Sequence, residues 1–318
     1  MTIAPARLLA CAAVALAALP SFLCAAPFAY VPNEGSGTIS VIDTATDQVV
    51  GEMPGGSKPR GLAVGGDGRW LYVSDQPNNR LQLVDIQARK AGATVALGES
   101  PEGVSISPDG RWVVAALEGK NEIAVIDTRS NALAFAIPVH GKNPEHAVFS
   151  PDGRLLFVSA EEGDAVDIVD FASRKQVAQV AVGARPRGIG FLPDSSRAYV
   201  ATENANEVFV IDTASYGIVA RVKAGLRANG IAVHPSGKQV YVSNGGDANV
   251  SVIDTASNKV VTTVPVGQRP WNMALTPDGK KLYVANGRSG NVSVIDTASN
   301  TRLRDVAVGK LPWGVAVR

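Results

Sequence analysis

The chain has 318 residues, 46% of them hydrophobic and 32 of them glycine, which is the composition of a folded globular protein and not of a disordered or fibrous one. With 30 basic and 29 acidic residues the net charge is +1, so bulk charge gives no reason to expect nucleic acid or an anionic membrane as partner. Length alone would suggest about two domains, a prior that the internal repeat described below overrides.

The first element is N-terminal. Arg7 precedes the Ala- and Leu-rich run 8–19, which is followed by Pro20 and the small residues Cys24, Ala25 and Ala26. This reads as a cleaved signal peptide over 1–26, too short and too early for a membrane span. An uncleaved anchor fits less well, because the run is Ala-rich and broken by Pro20. Leu8-Leu9-Ala10-Cys11 has the look of a lipoprotein box but leaves almost no apolar stretch before the cysteine. The expected mature chain, 27–318, is periplasmic or secreted and has no membrane insertion. Both cysteines, Cys11 and Cys24, fall in the removed segment, which excludes a disulfide, a thiolate nucleophile and cysteine-ligated zinc.

Next come three short β patterns, around Tyr30-Val31, Ile39 to Asp43 and Val49 to Pro54, with no strand before them. These belong to a longer unit that repeats down the chain. Its aspartate recurs at Asp43, Asp85, Asp127, Asp170, Asp212, Asp254 and Asp296, with five intervals of 42 residues and one of 43. A second marker keeps the same interval at Pro59, Pro101, Pro144, Pro186, Ala228, Pro270 and Pro312. A period of this length carrying several β patterns belongs to a propeller or a stacked array.

The unit at 268–309 is the clearest. An apolar strand from Trp271 to Thr276 ends at Pro277-Asp278-Gly279, where proline presets φ, aspartate accepts backbone N–H bonds and glycine takes the left-handed position. Lys281 to Asn286, Val292 to Asp296 and Arg302 to Val308 supply three more strands. The recurrent aspartate of Ile-Asp-Thr is read as an Asx-type turn closure and not as a catalytic group, because every repeat carries it. The last element, 311–317, is a first strand with nothing after it. Joined to the three N-terminal strands it completes a closing blade from 27–56 and 310–318. The expected architecture is all-β: a single seven-bladed β-propeller with four antiparallel strands per blade, its ring closed by N-terminal strands pairing with the C-terminal strand. An open solenoid would need polar caps that are absent.

Tyr241-Val-Ser-Asn244 and Tyr283-Val-Ala-Asn286, each followed by Val-Ser-Val-Ile-Asp-Thr-Ala-Ser, resemble the YVTN family of β-propeller repeats over the whole expected mature chain. Arg269-Pro-Trp271, the Ala-Asn-Gly at 285–287 and the terminal Leu-Pro-Trp-Gly resemble, within that group, the propellers associated with pyrroloquinoline quinone (PQQ)-dependent catabolism. What the resemblance implies is a periplasmic protein accompanying a quinoprotein dehydrogenase, with no established catalysis of its own. The second and third full repeats depart most, with Val114-Ala115 in place of Tyr-Val and His146 in place of a first-strand glycine.

Function is sought where the copies disagree. The position after the marker proline reads Arg60, Glu102, Glu145, Arg187, Asn229, Trp271 and Trp313. In a propeller this segment enters the innermost strand, so these side chains should ring one mouth of the central channel. Lys58, Arg185, Arg227 and Arg269 adjoin them. The loop after the second strand should add Glu34, Asp75, Glu118, Glu161 and Glu203 on the same face. Trp271 and Trp313, on adjacent blades near Arg227, Arg269 and Arg60, suit a planar anion such as PQQ or an aromatic patch on a partner. Read structurally, the same tryptophans plug the channel and the charges make solvated rim pairs.

Of the three histidines, His140 sits at the end of an outer strand and His234 at a turn on the opposite face. His146 alone falls near the mouth, beside Glu145, where a metal or acid–base site is conceivable but a structural histidine fits better. No phosphate loop, nucleophile elbow, His-Glu-x-x-His or calcium-loop motif is present. The expectation is a monomeric binding or accessory propeller that requires no cofactor and takes PQQ as ligand. A channel-mouth lactonase or lyase and a surface interaction scaffold are the alternatives.

Overall fold

In the computed structural model, residues 1–2 and 27–318 are described, so the expected signal segment, with both cysteines, lies almost wholly outside the described residues. Each 42-residue unit folds as a four-stranded antiparallel sheet, and seven such sheets are present. Six are consecutive in sequence: the full blades 59–96, 101–138, 144–181, 186–223, 228–265 and 270–307, numbered here from first to sixth. The seventh is composite. Phe28–Asn33, Thr38–Asp43 and Gln48–Pro54 lie side by side, and Ala316–Val317 pairs antiparallel with the first of them (Ala29 with Val317, Tyr30 with Ala316). No helix among the described residues is long and apolar enough to cross a membrane.

Burial follows from sheets packing face to face around a ring. The second and third strands of a blade are covered on both faces, so they are buried nearly end to end; Lys281–Asn286 and Asn291–Asp296 each expose only their ends. Even Ser293 is as buried as its valine neighbours, bonded to Asn286 (2.9 Å) and Asp305 (2.6 Å). The fourth strand lies at the rim and is mostly exposed, as in Thr301–Ala307. Seven apolar clusters fill the structure, many shared between neighbouring blades, such as the one joining Leu155, Phe157 and Ile168 to Ile189, Phe191 and Val200.

The repeated aspartate closes its turn as expected. Oδ1 of Asp254 accepts from the Ser257 amide (2.8 Å) and Oδ1 of Asp296 from the Ser299 amide (2.8 Å), with equivalent bonds at Asp43, Asp85, Asp127, Asp170 and Asp212. The tyrosine of the repeat has a role that sequence did not suggest. Its hydroxyl reaches into the next blade and donates to a turn residue held at positive φ: Tyr72 to Asn131 (2.5 Å), Tyr199 to Asn258 (3.1 Å), Tyr241 to Asn300 (3.4 Å) and Tyr283 to Asp47.

The innermost strands crowd the axis. A Cβ on Gly230 would come 2.5 Å from the Trp271 carbonyl oxygen of the next blade. Glycine therefore holds this level at 61, 103, 188, 230 and 314, while the third and sixth blades place His146 and Asn272 there. Those two side chains intrude on the channel where the other five blades have none.

Candidate functional site

The start of each innermost strand and the loop between second and third strands open on one face, as the repeat register requires. Together they form a cavity of about 300 Å³ at the channel mouth, at the small end of the range for ligand sites. Among its lining residues are Arg60, Glu145, Arg187, Asn229, Arg269, Trp271 and Trp313, together with Glu34, Glu118, Glu161 and Arg185 from the neighbouring positions. Seven of the ten expected site residues thus line one space. Glu102 lies fully buried behind Arg60, and Arg227 sits beside Glu203; neither lines that cavity. His146 lines a deeper chamber of about 120 Å³, which shares Arg60, Asn272 and Trp313 with the outer one.

Two expectations change. Trp271 and Trp313 do not act as a pair: Trp313 packs on the His146 ring (centroids 5.5 Å apart), and Trp271 lies beside the Arg269 guanidinium (5.9 Å). Trp313 thus lies between the chambers, because the His146 side chain reaches it from the third blade. Asp75 is also absent from the mouth. Its carboxylate accepts from the Ser57 and Lys58 amides and from Arg80, which ties the loop joining two blades.

The charges are not solvated rim pairs. Glu203 is completely buried, and four guanidiniums converge on it: Arg187 (3.0 Å), Arg227 (2.8 Å), Arg269 (2.8 Å) and Arg185 (3.4 Å). Burial works to raise this carboxyl, but Arg187, Arg269 and Arg185 outweigh it and bring it down to about 2. Arg185 and Arg187 also bond Glu161 and Glu145, but Arg227 and Arg269 bond no other carboxylate among the described residues, which leaves this side of the mouth positive. Arg269 Nη1 is a buried N–H donor that makes no hydrogen bond among the described residues, and Arg60 Nε and Arg185 Nε make none either, although each has a carboxylate oxygen at 3.4 Å, from Glu34 and Glu203. All three residues line the same cavity, so these N–H groups have hydrogen-bonding capacity to spare for a ligand there.

The opposite side is acidic. Glu102 accepts from Arg60 and from Gln76 (2.7 Å) on one oxygen; burial and the nearby Glu145 charge push its carboxyl up to about 8. Arg187 bonds both Glu145 (2.6 Å) and Glu161 (3.0 Å). Burial pushes Glu161 up to about 7 against the pull of Arg187. Glu145 is drawn below its ordinary value, its burial outweighed chiefly by the Arg187 charge. Burial lowers His146, which keeps the ring neutral, and its Nε2 meets no partner. Gln76 and Ser100, which support Glu102 and Glu118, were not foreseen; both lie outside the variable position that drew attention in the sequence.

Comparison with known proteins gives the fold a wide set of relatives and a narrow family. A profile of the YNCE-like β-propeller family matches residues 9–318. No curated protein sequence matches the chain. Among solved structures, a chain of Kuenenia stuttgartiensis hydrazine synthase is 26% identical, with a TM-score of 0.79 over 90% of this chain and 99% of that one. A functionally unknown protein from Desulfotomaculum acetoxidans is 19% identical (TM-score 0.80, 91% and 98% covered). A Bacteroides uniformis protein provisionally named a 6-phosphogluconolactonase is also 19% identical (TM-score 0.77, 92% and 100% covered). Likeness at the 19% level establishes the propeller fold and nothing about chemistry.

Proposed function

Since the chain belongs to the YNCE-like β-propeller family, whose fold serves many unrelated functions, we propose a function from the channel mouth itself: it is a binding propeller that holds a small planar anion with more than one carboxylate. The observation that carries this reading is the buried Arg269 Nη1, which makes no hydrogen bond, with Arg60 Nε and Arg185 Nε beside it held only by 3.4 Å ion pairs, around a cavity that also presents Trp271 and Trp313. Guanidiniums recognise carboxylates through paired N–H bonds, and an indole face accepts a flat ring. PQQ has this chemistry, and the sequence resemblance points to the same ligand. The physiological setting we propose is therefore an exported accessory to a quinoprotein alcohol-oxidation system, in which the protein carries or presents the quinone to the dehydrogenase.

The test is titration of PQQ into the purified chain, followed by tryptophan fluorescence and calorimetry. Saturable quenching with one site per chain is expected, weakened at least tenfold by Arg269→Ala and by the Trp271→Ala/Trp313→Ala pair. Silence in both measurements sinks the reading. Retention of a dehydrogenase on the immobilised protein tests the partner separately.

A second reading has one observation in its favour: Glu161 at the mouth, and Glu102 buried behind Arg60, have carboxyls held near neutrality, as general acids often are. A channel-mouth lactonase or lyase would use Glu161, the more accessible of the two, as proton donor. Turnover of simple lactones that disappears in Glu161→Gln would favour this reading over the binding one.

A further inference from the structure

We propose, building on the binding reading above, that Glu161 makes anion capture at the mouth proton-coupled: ionised it repels the ligand's carboxylates, and protonated it admits them, so the site fills in mild acid and empties in mild base. Glu118, Glu145 and Glu161 line the same cavity as Arg185, Arg187 and Arg269. A space of about 300 Å³ is roughly 8 Å across, no wider than the Debye length at physiological salt. An anion held by the arginines is therefore within reach of all three acidic groups, with little screening between them.

The three come from two blades and meet closely. Each offers an oxygen within 4.8 Å of the other two, and carboxyls this close do not all ionise together. Glu145, on the innermost strand 144–149, is the acceptor at the centre. Arg187 bonds it (2.6 Å), and both Glu161 and Glu118 come within hydrogen-bonding reach of it. Glu161 meets Arg187 (3.0 Å) and Arg185, but Glu203 draws on both of these cations and Glu145 on Arg187. Burial outweighs what remains of their pull and pushes the Glu161 carboxyl up to about 7. Glu118, held by the Ser100 hydroxyl (2.7 Å), is raised too, by burial.

The groups around them behave differently. Glu203 is held ionised, at about 2, and burial keeps His146 neutral. Glu34 lies toward Lys58 (3.2 Å) and Arg60 (3.4 Å), and the guanidiniums keep their charge. Glu102, pushed up to about 8, is buried behind Arg60 and does not line the cavity. The ligand's own carboxylates ionise far below neutrality. An anion on the arginines raises the affinity of Glu161 for its proton, and by reciprocity the proton raises the affinity for the anion. Binding takes up a proton, so affinity is high below the free carboxyl's value of about 7 and falls as pH rises through it.

The experiment is calorimetric titration of PQQ and, separately, of trimesate, a flat benzene tricarboxylate, into the full chain at pH 6.0 and pH 8.0. Binding about fivefold or more tighter at pH 6.0 is expected, with a heat that changes with the buffer's ionisation enthalpy as protons are taken up. Glu161→Gln, fixed in the neutral form, should bind at pH 8.0 about as tightly as the parent does at pH 6.0 and lose most of the pH dependence. That change also loosens two ion pairs, so Glu118→Gln, which keeps the Ser100 bond, is the second variant; it too should bind more tightly than the parent at pH 8.0. Equal affinity at the two pH values overturns the proposal and leaves the binding reading standing. So does a pH dependence that persists in Glu161→Gln and disappears in Glu102→Gln. Trimesate binding with the expected profile but no response to PQQ supports the proton coupling and removes PQQ as the ligand. No binding of either anion at pH 6.0 overturns both.

Discussion

At the residue scale the mouth is a balance between one over-compensated carboxylate and several under-compensated ones. Removing Glu203 leaves four arginines without their shared anion. Breaking a buried ion pair costs about 3–5 kcal/mol, and Arg185 and Arg227 reach solvent, so Glu203→Ala should lose roughly 3 kcal/mol in urea denaturation. Because the folded carboxyl is depressed to about 2 from 4.5, its contribution is fully present above pH 4.5 and disappears as pH falls toward about 2. Glu102 has the opposite sign. Its folded pKa is raised to about 8, so the unfolded chain releases this proton first and stability declines as pH rises from 4.5 to about 8. Glu102→Gln, which still accepts from Arg60, should flatten that decline; thermal melts of both proteins across this range, in EDTA, measure it. His146 is a residue the sequence flagged correctly as exceptional, since it replaces glycine at an axial position. What it touches, Trp313 from the composite blade, is separated from it by almost the whole remaining ring and was not readable from spacing.

At the scale of the element, the repeat unit was almost wholly legible, because its turns depend on local chemistry. Pro-Asp-Gly and Ile-Asp-Thr close through bonds spanning two or three residues, such as Asp278 to the Lys280 amide (3.1 Å). The bonds of Tyr72, Tyr199 and Tyr241 span 59 residues and that of Tyr283 spans 236; all join different blades, so no local pattern announces them. Tyr283 is the instructive case. Its partner, Asp47, belongs to the composite blade and also binds Lys281 (2.8 Å), so this bond helps lock the two ends of the chain. A bond to a charged acceptor contributes about 1.5–3 kcal/mol. Tyr283→Phe should cost about that much, whereas Tyr241→Phe, whose partner Asn300 is neutral and 3.4 Å away, should cost about 1 kcal/mol or less. Chemical denaturation of the two variants side by side checks the ranking.

For the whole molecule, closure of the ring rests on the last residues of the chain zipping along the first strand, with Trp313 N–H on Pro32 and the Glu34 and Gly35 amides on Leu311 and Lys310. The C-terminal strand is only Ala316–Val317, helped by an Asn33–Pro312 bridge, by Phe28 and Arg318 exchanging amide bonds, and by the Arg318 side chain on the carbonyls of Gly65 and Gly66. Deleting 311–318 exposes the Phe28–Asn33 edge and removes Trp313 from between the two chambers. The truncated chain should melt several degrees lower and self-associate through that edge, which light scattering would detect. The sequence by itself determined the number of blades, the four strands in each, the composite closure and, Glu102 apart, which variable residues face the mouth. It could do so because a fixed period copies one local solution seven times and carries every copy to an equivalent place in the ring. The tertiary structure alone decided how those residues are partnered. Four arginines meet on Glu203, three carboxylates gather at Glu145, and Trp313 crosses to His146. Distances across a ring depend on the curvature of all seven blades together, and no interval along the chain records them.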